Sequence, residues 1–181
     1  MQHITDYIKE QTGEWADLFR RIKSYWGEPE ASFFEEKTKE MKEILPTVEC
    51  YKALKDNYVV NAEGTKDRKP CCDIGAWHKY WMIVSGHFDN EMSCGFCKKP
   101  IFADINTPEC EESAKGKADE DGKPDKIENH QAHGGHLKID ILGRGYYITP
   151  LCPRCNSKEG KTLMLLKDTI VVKEERAEIK K

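Results

Sequence analysis

The sequence has no apolar run approaching the ~20 residues that a membrane-crossing helix needs. Its longest are short, such as Tyr80-Trp-Met-Ile-Val84. It has no excess of basic charge: 29 Lys and Arg stand against 32 Asp and Glu, a net −3. A whole-chain electrostatic footprint for nucleic acid is therefore missing, and any such binding needs a local patch. The first ten residues lack the basic-then-apolar order of a secretory signal. There is no internal repeat, and 181 residues are too few for a barrel enzyme of ~250. These absences leave a soluble, cytoplasmic protein with no membrane contact as the expectation.

What is present is charge, aromatics and cysteine. Charged residues make up 34% of the chain, above the roughly 25% of an average soluble protein. Four Trp, seven Tyr and six Phe still supply a core. Over residues 3–26 the apolar residues Ile4, Ile8, Trp15, Leu18, Phe19, Ile22 and Trp26 recur at helical spacing, which predicts an amphipathic helix ended by Gly27-Glu-Pro29. Residues 31–45 repeat the pattern more weakly, and Thr47 to Asp56 reads as a third helix burying Val48, Tyr51 and Leu54. The aromatic-rich segment 73–88 fits helix or strand equally. Residues 111–128 hold eleven charges and no aromatic, the composition of a solvated excursion. Beyond it, Leu137–Leu142 and Tyr146–Thr149 flank a Gly-Arg-Gly turn like a hairpin, and Leu163–Leu166 and Thr169–Val172 read as short strands.

The cysteines carry the strongest chemical signal. Cys94-Gly-Phe-Cys97 and Cys152-Pro-Arg-Cys155 are two Cys-x-x-Cys pairs. A two-residue spacer lets both sulfurs of a pair face one point, and two pairs close a tetrahedral zinc shell. The 54 residues between the pairs exceed the usual spacing, and the charged insertion accounts for much of that excess. A thioredoxin-like redox motif would use one pair and a βαβ frame, which the pattern does not offer. A zinc held by four thiolates is structural, with no open position for water. Cys71 and Cys72, with His78 and His87, form a weaker second grouping. Cys50 reads as packing, and Cys110 borders the insertion. The expected architecture is α+β: a mainly helical segment, 1–90, packed on a zinc-stabilised β-rich unit, 91–173, followed by a charged tail, 174–181.

The segments Cys94-x-x-Cys97, Ala132-His-Gly-Gly-His-Leu-Lys-Ile139 and Tyr147-Ile-Thr-Pro-Leu-Cys-Pro-Arg-Cys-Asn156 together resemble the HNH-type treble-clef zinc domain over about residues 92–165. The resemblance implies a knuckle carrying the first pair, a strand carrying histidine, and a second pair that starts a helix. In nucleases of this type a strand histidine acts beside a catalytic cation such as Mg²⁺ or Mn²⁺, with an Asn in the connecting loop and a His or Asn further along the helix. Here His136 takes the first position, with His133 as its alternative. Asp140–Gly145 offers no Asn, and no histidine follows Cys155. The sequence is also similar to a group of small proteins with the same Gly-His-Leu, Tyr-Ile-x-Pro-Leu-Cys and Cys-Asn signature.

A neutral imidazole at His136 can take a proton from water, but phosphodiester hydrolysis also needs a cation near the phosphate. Asp140 and Asp168 are the nearest carboxylates in sequence, without motif support, and His130 reads as a loop residue. From Gln131 to Asp168 the local charge is +3, with six basic residues against three acidic. The expectation is a zinc-stabilised module that binds nucleic acid, or a protein partner through its N-terminal helices, without efficient catalysis. The alternative is a divalent-metal-dependent endonuclease.

Overall fold

The computed structural model describes residues 7–9, 22, 26, 30–41, 48–65, 67–115 and 125–176. Its main layer is a curled, seven-stranded antiparallel sheet. The strands are β1 (Tyr7–Lys9), β2 (Cys50–Ala53), β3 (Asn57–Asn61), β6 (His133–Lys138), β7 (Tyr147–Leu151), β8 (Thr162–Leu165) and β9 (Ile170–Lys173). Their order is β1-β2-β9-β7-β6-β3-β8. A separate hairpin pairs β4 (Glu91–Ser93) with β5 (Pro100–Phe102). Helices among the described residues include α1 (Glu30–Glu40), α2 (Trp77–Ser85), α3 (Pro108–Ala114) and the single turn α4 (Pro153–Asn156). The protein is thus α+β.

The curl has a simple origin. Lys52 faces Ile170 across β2 and β9, and Asn57 faces Leu165 across β3 and β8. Each step is five residues along its own strand, in opposite directions, so register is kept through the intervening bend. The two strand pairs are one long ribbon, kinked at Leu54–Asp56 and Leu166–Thr169. Ala53 and Thr169 or Asp168 exchange main-chain bonds at the kink, and Asp56 accepts from the Lys167 amide at 2.7 Å. One half of the ribbon pairs with β7 and the other with β6, so it wraps the β6–β7 hairpin.

At its centre, on β7, the sheet is buried on both faces, as the period-two alternation allows, whereas Tyr58 and Met164, opposite each other on β3 and β8, stay exposed. Leu137, Tyr147, Leu165 and Val171 fill the inside of the curl. Ile148, paired with His136 on the face where Gly134 meets Trp77, and Val172, paired with Ile148, lie on the α2 side. In α2 every residue but Lys79 and Ser85 is buried, which explains why its apolar run showed no periodicity. A nine-residue helix is too short to stand alone. Burial of its large side chains, each worth ~1.5–3 kcal/mol, holds it in place. Its aromatic tips are also tied: Tyr80 Oη donates to Lys173 O at 2.6 Å, Trp81 Nε1 to Ile170 O and Trp77 Nε1 to Arg68 O, both at 3.0 Å. Gly134 lets β6 approach this helix, since a Cβ there would lie 2.2 Å from Trp77 Cβ. Beside α2, Trp26, Phe33 and Phe88 gather around Phe34 on α1 with ring centroids 5.2–5.5 Å apart.

Several sequence expectations change. Of the helix expected over Thr47–Asp56, the described residues 48–56 are not helical, and Cys50–Ala53 form β2, because pairing with β1 and β9 outweighs a short window of weak helical preference. Most of the predicted helix over 3–26 lies outside the described residues; within it Tyr7–Lys9 is a strand pairing with β2, and Ile22 is helical, accepting from Trp26 N at 3.0 Å. β2 and β3, drawn from the segment expected to be mainly helical, pair with β9, β6 and β8. The charged insertion is bounded by structure: α3 runs into it to Ala114, capped by Thr107. At the other end, Asp125 is buried among Lys99 (2.8 Å), Asn129 (2.8 Å) and His130 (2.9 Å).

Candidate metal centre and adjoining cavity

The first cysteine pair occupies the hairpin loop between β4 and β5. Lys98 N donates to Cys94 O at 2.9 Å and Cys94 N to Lys99 O at 3.0 Å, closing a tight turn with Lys98 at φ 57°. Gly95 fixes this loop to the rest of the protein: its N–H donates to Pro150 O and its carbonyl accepts from Leu166 N, both at 3.0 Å. A Cβ at residue 95 would sit 3.0 Å from Thr169 Cγ2 and 3.2 Å from Thr149 Cγ2, so glycine permits that approach. The second pair follows β7. Cys152 is the N-cap of α4, Pro153 opens the helix, and the Cys155 amide donates to Cys152 Sγ at 3.5 Å.

These two turns bring all four sulfurs within 4.8 Å of one another, with Cys97 and Cys152 Sγ 3.8 Å apart. A tetrahedron of thiolates at ~2.3 Å from zinc has edges of about 3.8 Å. The donor set thus fits a metal ion such as zinc. Cys94, Cys152 and Cys155 are buried and Cys97 is exposed. Hydrogen bonds from Cys152, Cys155 and Cys97 hold the Cys94 thiol far below its ordinary range, and Cys97, bonded first by Cys152, is lowered to about 7. Cys152 and Cys155 move the other way: Cys155 is raised by its hydrogen bonds to Cys152, Cys94 and Cys97, and Cys152, lowered by Cys155, is raised overall by Cys94, Cys97 and burial. Among the described residues no other group of three or more His, Cys, Asp or Glu side chains is arranged to share an ion. The grouping of Cys71 and Cys72 with His78 and His87 does not form one.

Next to α4 lies a cavity of about 380 Å³. Its walls include His133 and His136 on β6, His78 on α2, Asn61 on β3, and Asn156 and Glu159 after the second cysteine pair. His136 is 5% exposed, wedged edge-on against the Trp77 ring at 4.9 Å. Its Nε2 has no hydrogen-bond partner; Glu174 Oε1 lies 3.8 Å away. Burial, then the charges of Arg68 and Arg176, lower His136 to about 4, so its imidazole is neutral near pH 7. Burial also lowers His133. Glu174 is itself held by Arg68 at 2.9 Å and Arg176 at 2.8 Å.

Asp140 and Asp168 do not line this cavity. Asp140 begins a short 3₁₀ turn, and Asp168 sits at the ribbon kink 3.5 Å from Lys52. His130 donates from Nδ1 to Pro100 O at 3.1 Å, its Nε2 lies 2.9 Å from Asp125 Oδ2, and it takes no part either. Asn156 does line it, beside His136. His78, Asn61, Arg68 and Glu174 had no motif to announce them, because three come from before the cysteine pairs and one from the charged tail. No helix among the described residues is long and apolar enough to cross a membrane. Comparison with family models, curated proteins and solved structures found no match.

Proposed function

We propose that this protein is a zinc-stabilised, HNH-like treble-clef module that binds nucleic acid and does not hydrolyse it efficiently. The observation that carries the reading is the four-cysteine cluster split between a hairpin loop and the N-cap of a helix that follows a second hairpin. That is the arrangement the sequence resemblance implies. Zinc there is structural: four thiolates complete the shell, and the ion ties β4–β5 to β7 and α4.

The same geometry argues against efficient catalysis. α4 is a single turn ending at Asn156, so no following turn exists to carry the family's third metal-site residue. The carboxylate beside His136, Glu174, is occupied by two arginines. A nucleic-acid partner is favoured over a protein partner on the N-terminal helices. Trp26, Phe33 and Phe34 spend their aromatic surface on Phe88 and one another. Cationic Lys138, Arg144, Arg154, Lys158, Lys161 and Lys167 supply local positive charge.

Fluorescence anisotropy of zinc-loaded protein with labelled single- and double-stranded oligonucleotides tests this reading. Binding should weaken steeply with salt as condensed counterions are released. Salt-independent binding, or none to either strand form, would overturn it.

A metal-dependent nuclease is the second reading, and one observation favours it: Asn156 and an unpartnered His136 share one polar cavity. In that reading His136 is the general base and His133 its neighbour, with Mg²⁺ or Mn²⁺ held against the phosphate.

A further inference from the structure

We propose that the first turn of α2, with His78 and His136, forms a binding site for a phosphoryl group whose carrier fills the rest of the cavity. The inference goes beyond nucleic-acid binding, because a small phosphorylated molecule and a phosphorylated strand end present the same group.

The helix end comes first. Ala76, the N-cap of α2, is extended (φ −133°, ψ 141°), and no side chain caps the helix. The first helical bond is from Tyr80 N to Ala76 O at 3.1 Å. The amides of Trp77, His78 and Lys79 find no acceptor among the described residues. Ala76, Trp77 and His78 all line the cavity. Unsatisfied amides and the positive end of the helix dipole together favour an anion.

Two buried side chains give an independent indication. His78 is 8% exposed and His136 5%, and the Nε2 of each lacks a hydrogen-bond partner. Both imidazoles line the same cavity from different elements, α2 and β6. An unpaired ring nitrogen in a buried wall is a cost that a ligand oxygen removes once the nitrogen carries a proton.

The surrounding charges agree in sign. Lys79 acts on His78, and Arg68 and Arg176 on His136. Of the carboxylates, Glu174 beside His136 is held by both arginines, and Glu159 is exposed at the wall. Asn156, Thr65 and Gln131 add polar groups to the cavity walls. The volume of about 380 Å³ exceeds what a phosphoryl group alone occupies, leaving room for its carrier.

The test uses the zinc-loaded full chain. The probes are inorganic phosphate, adenosine, adenosine 5′-monophosphate, and a trinucleotide with and without a 5′-phosphate. Binding is read by calorimetry and by the ring resonances of His78 and His136. The monophosphate should bind and adenosine should not, with both ring resonances shifting. Affinity should rise from about pH 8 to about pH 6, because the bound dianion favours protonated imidazoles. Ala76→Asp places a carboxylate on the free amides. It should weaken the monophosphate by about tenfold or more while thermal stability holds or rises. His78→Gln should weaken it as well. A phosphorylated trinucleotide that outcompetes the mononucleotide assigns the carrier to a strand end; the reverse assigns it to a small molecule. Equal binding of adenosine and its monophosphate, or phosphate binding untouched by Ala76→Asp, overturns the proposal. Salt-dependent binding of unphosphorylated oligonucleotides would survive that failure and bears only on the nucleic-acid reading.

Discussion

Asn61 donates its side-chain amide to the carbonyl of Cys155, 94 residues away, at 3.2 Å, and to the next carbonyl, that of Asn156, at 3.1 Å. One residue of β3 thereby holds the turn that carries two of the four sulfurs. Outer contacts that orient metal ligands commonly change affinity 10–100-fold when lost. Asn61→Ala should loosen zinc by about that factor, roughly tenfold or more, without removing a ligand. Competition with a chromophoric chelator measures it, and unchanged affinity would show that α4 is positioned without Asn61.

Replacing a ligand has a larger effect. Native protein should carry one zinc per chain, and Cys94→Ser or Cys152→Ser should release it. Both side chains are buried, and the bound ion is coupled to folding of the hairpins around it. Strong chelators should therefore lower the melting temperature of wild type and leave the serine variants unaffected. Elemental analysis finding no zinc in native protein would remove the centre from consideration.

Acid should destabilise the fold, for a reason that can be followed residue by residue. Burial holds His78 and His136 at about 4, against 6.5 for the free side chain. The unfolded chain then binds more protons between those values. Stability from each histidine is full above about pH 6.5 and is lost as pH falls toward about 4, on the order of 3 kcal/mol apiece. Asp125 acts in the same direction. Burial opposes its charge, but hydrogen bonds from Lys99, Asn129 and His130 hold its carboxyl below the usual range. Urea midpoints measured across this range should fall in wild type and fall less in His78→Gln and His136→Gln. Zinc loss on acidification is common to all three proteins, so their difference isolates the histidines.

The cysteine centre was legible in the sequence because each half is local: two ligands three residues apart, on a turn that needs only Gly95 or Pro153. The cavity was not, because its groups are brought together by pairing of β3 with β6 and by packing of α2 on Gly134. No window of sequence contains both His78 and His136. The β2 error has the same origin, since Tyr51 faces Val171 across the sheet and nothing near it in sequence encodes that partner. The helix α2 was ambiguous for the opposite reason: it is buried all round, so the pattern that distinguishes helix from strand is absent.

The boundaries of the charged insertion follow from this structure. Residues 116–123 carry charge and no large apolar side chain. Replacing them with Gly and Ser should leave zinc binding and melting temperature nearly unchanged. Asp125→Ala should instead cost about 1–3 kcal/mol, because it leaves Lys99 and His130 facing an empty acceptor position. Equal effects of the two changes would mean that the Asp125 contacts do not anchor the segment.

Catalysis is the sharpest division between the two functional readings. A well-placed imidazole contributes about 10²–10⁴-fold as a general base, which leaves most of the barrier to phosphodiester hydrolysis to charge stabilisation by a cation. His136 has the neutral form that a base requires, yet it is enclosed by Trp77, and its neighbouring carboxylate is bound to Arg68 and Arg176. Weak or no cleavage of DNA or RNA is therefore expected with Mg²⁺ or Mn²⁺. Any trace activity should require the added cation and disappear in His136→Ala with zinc content unchanged. Robust metal-dependent cleavage that His136→Ala abolishes would establish the nuclease. Cleavage that survives His136→Ala and fails in His133→Ala would move the general base three residues along β6, to the half-buried histidine with more access to solvent.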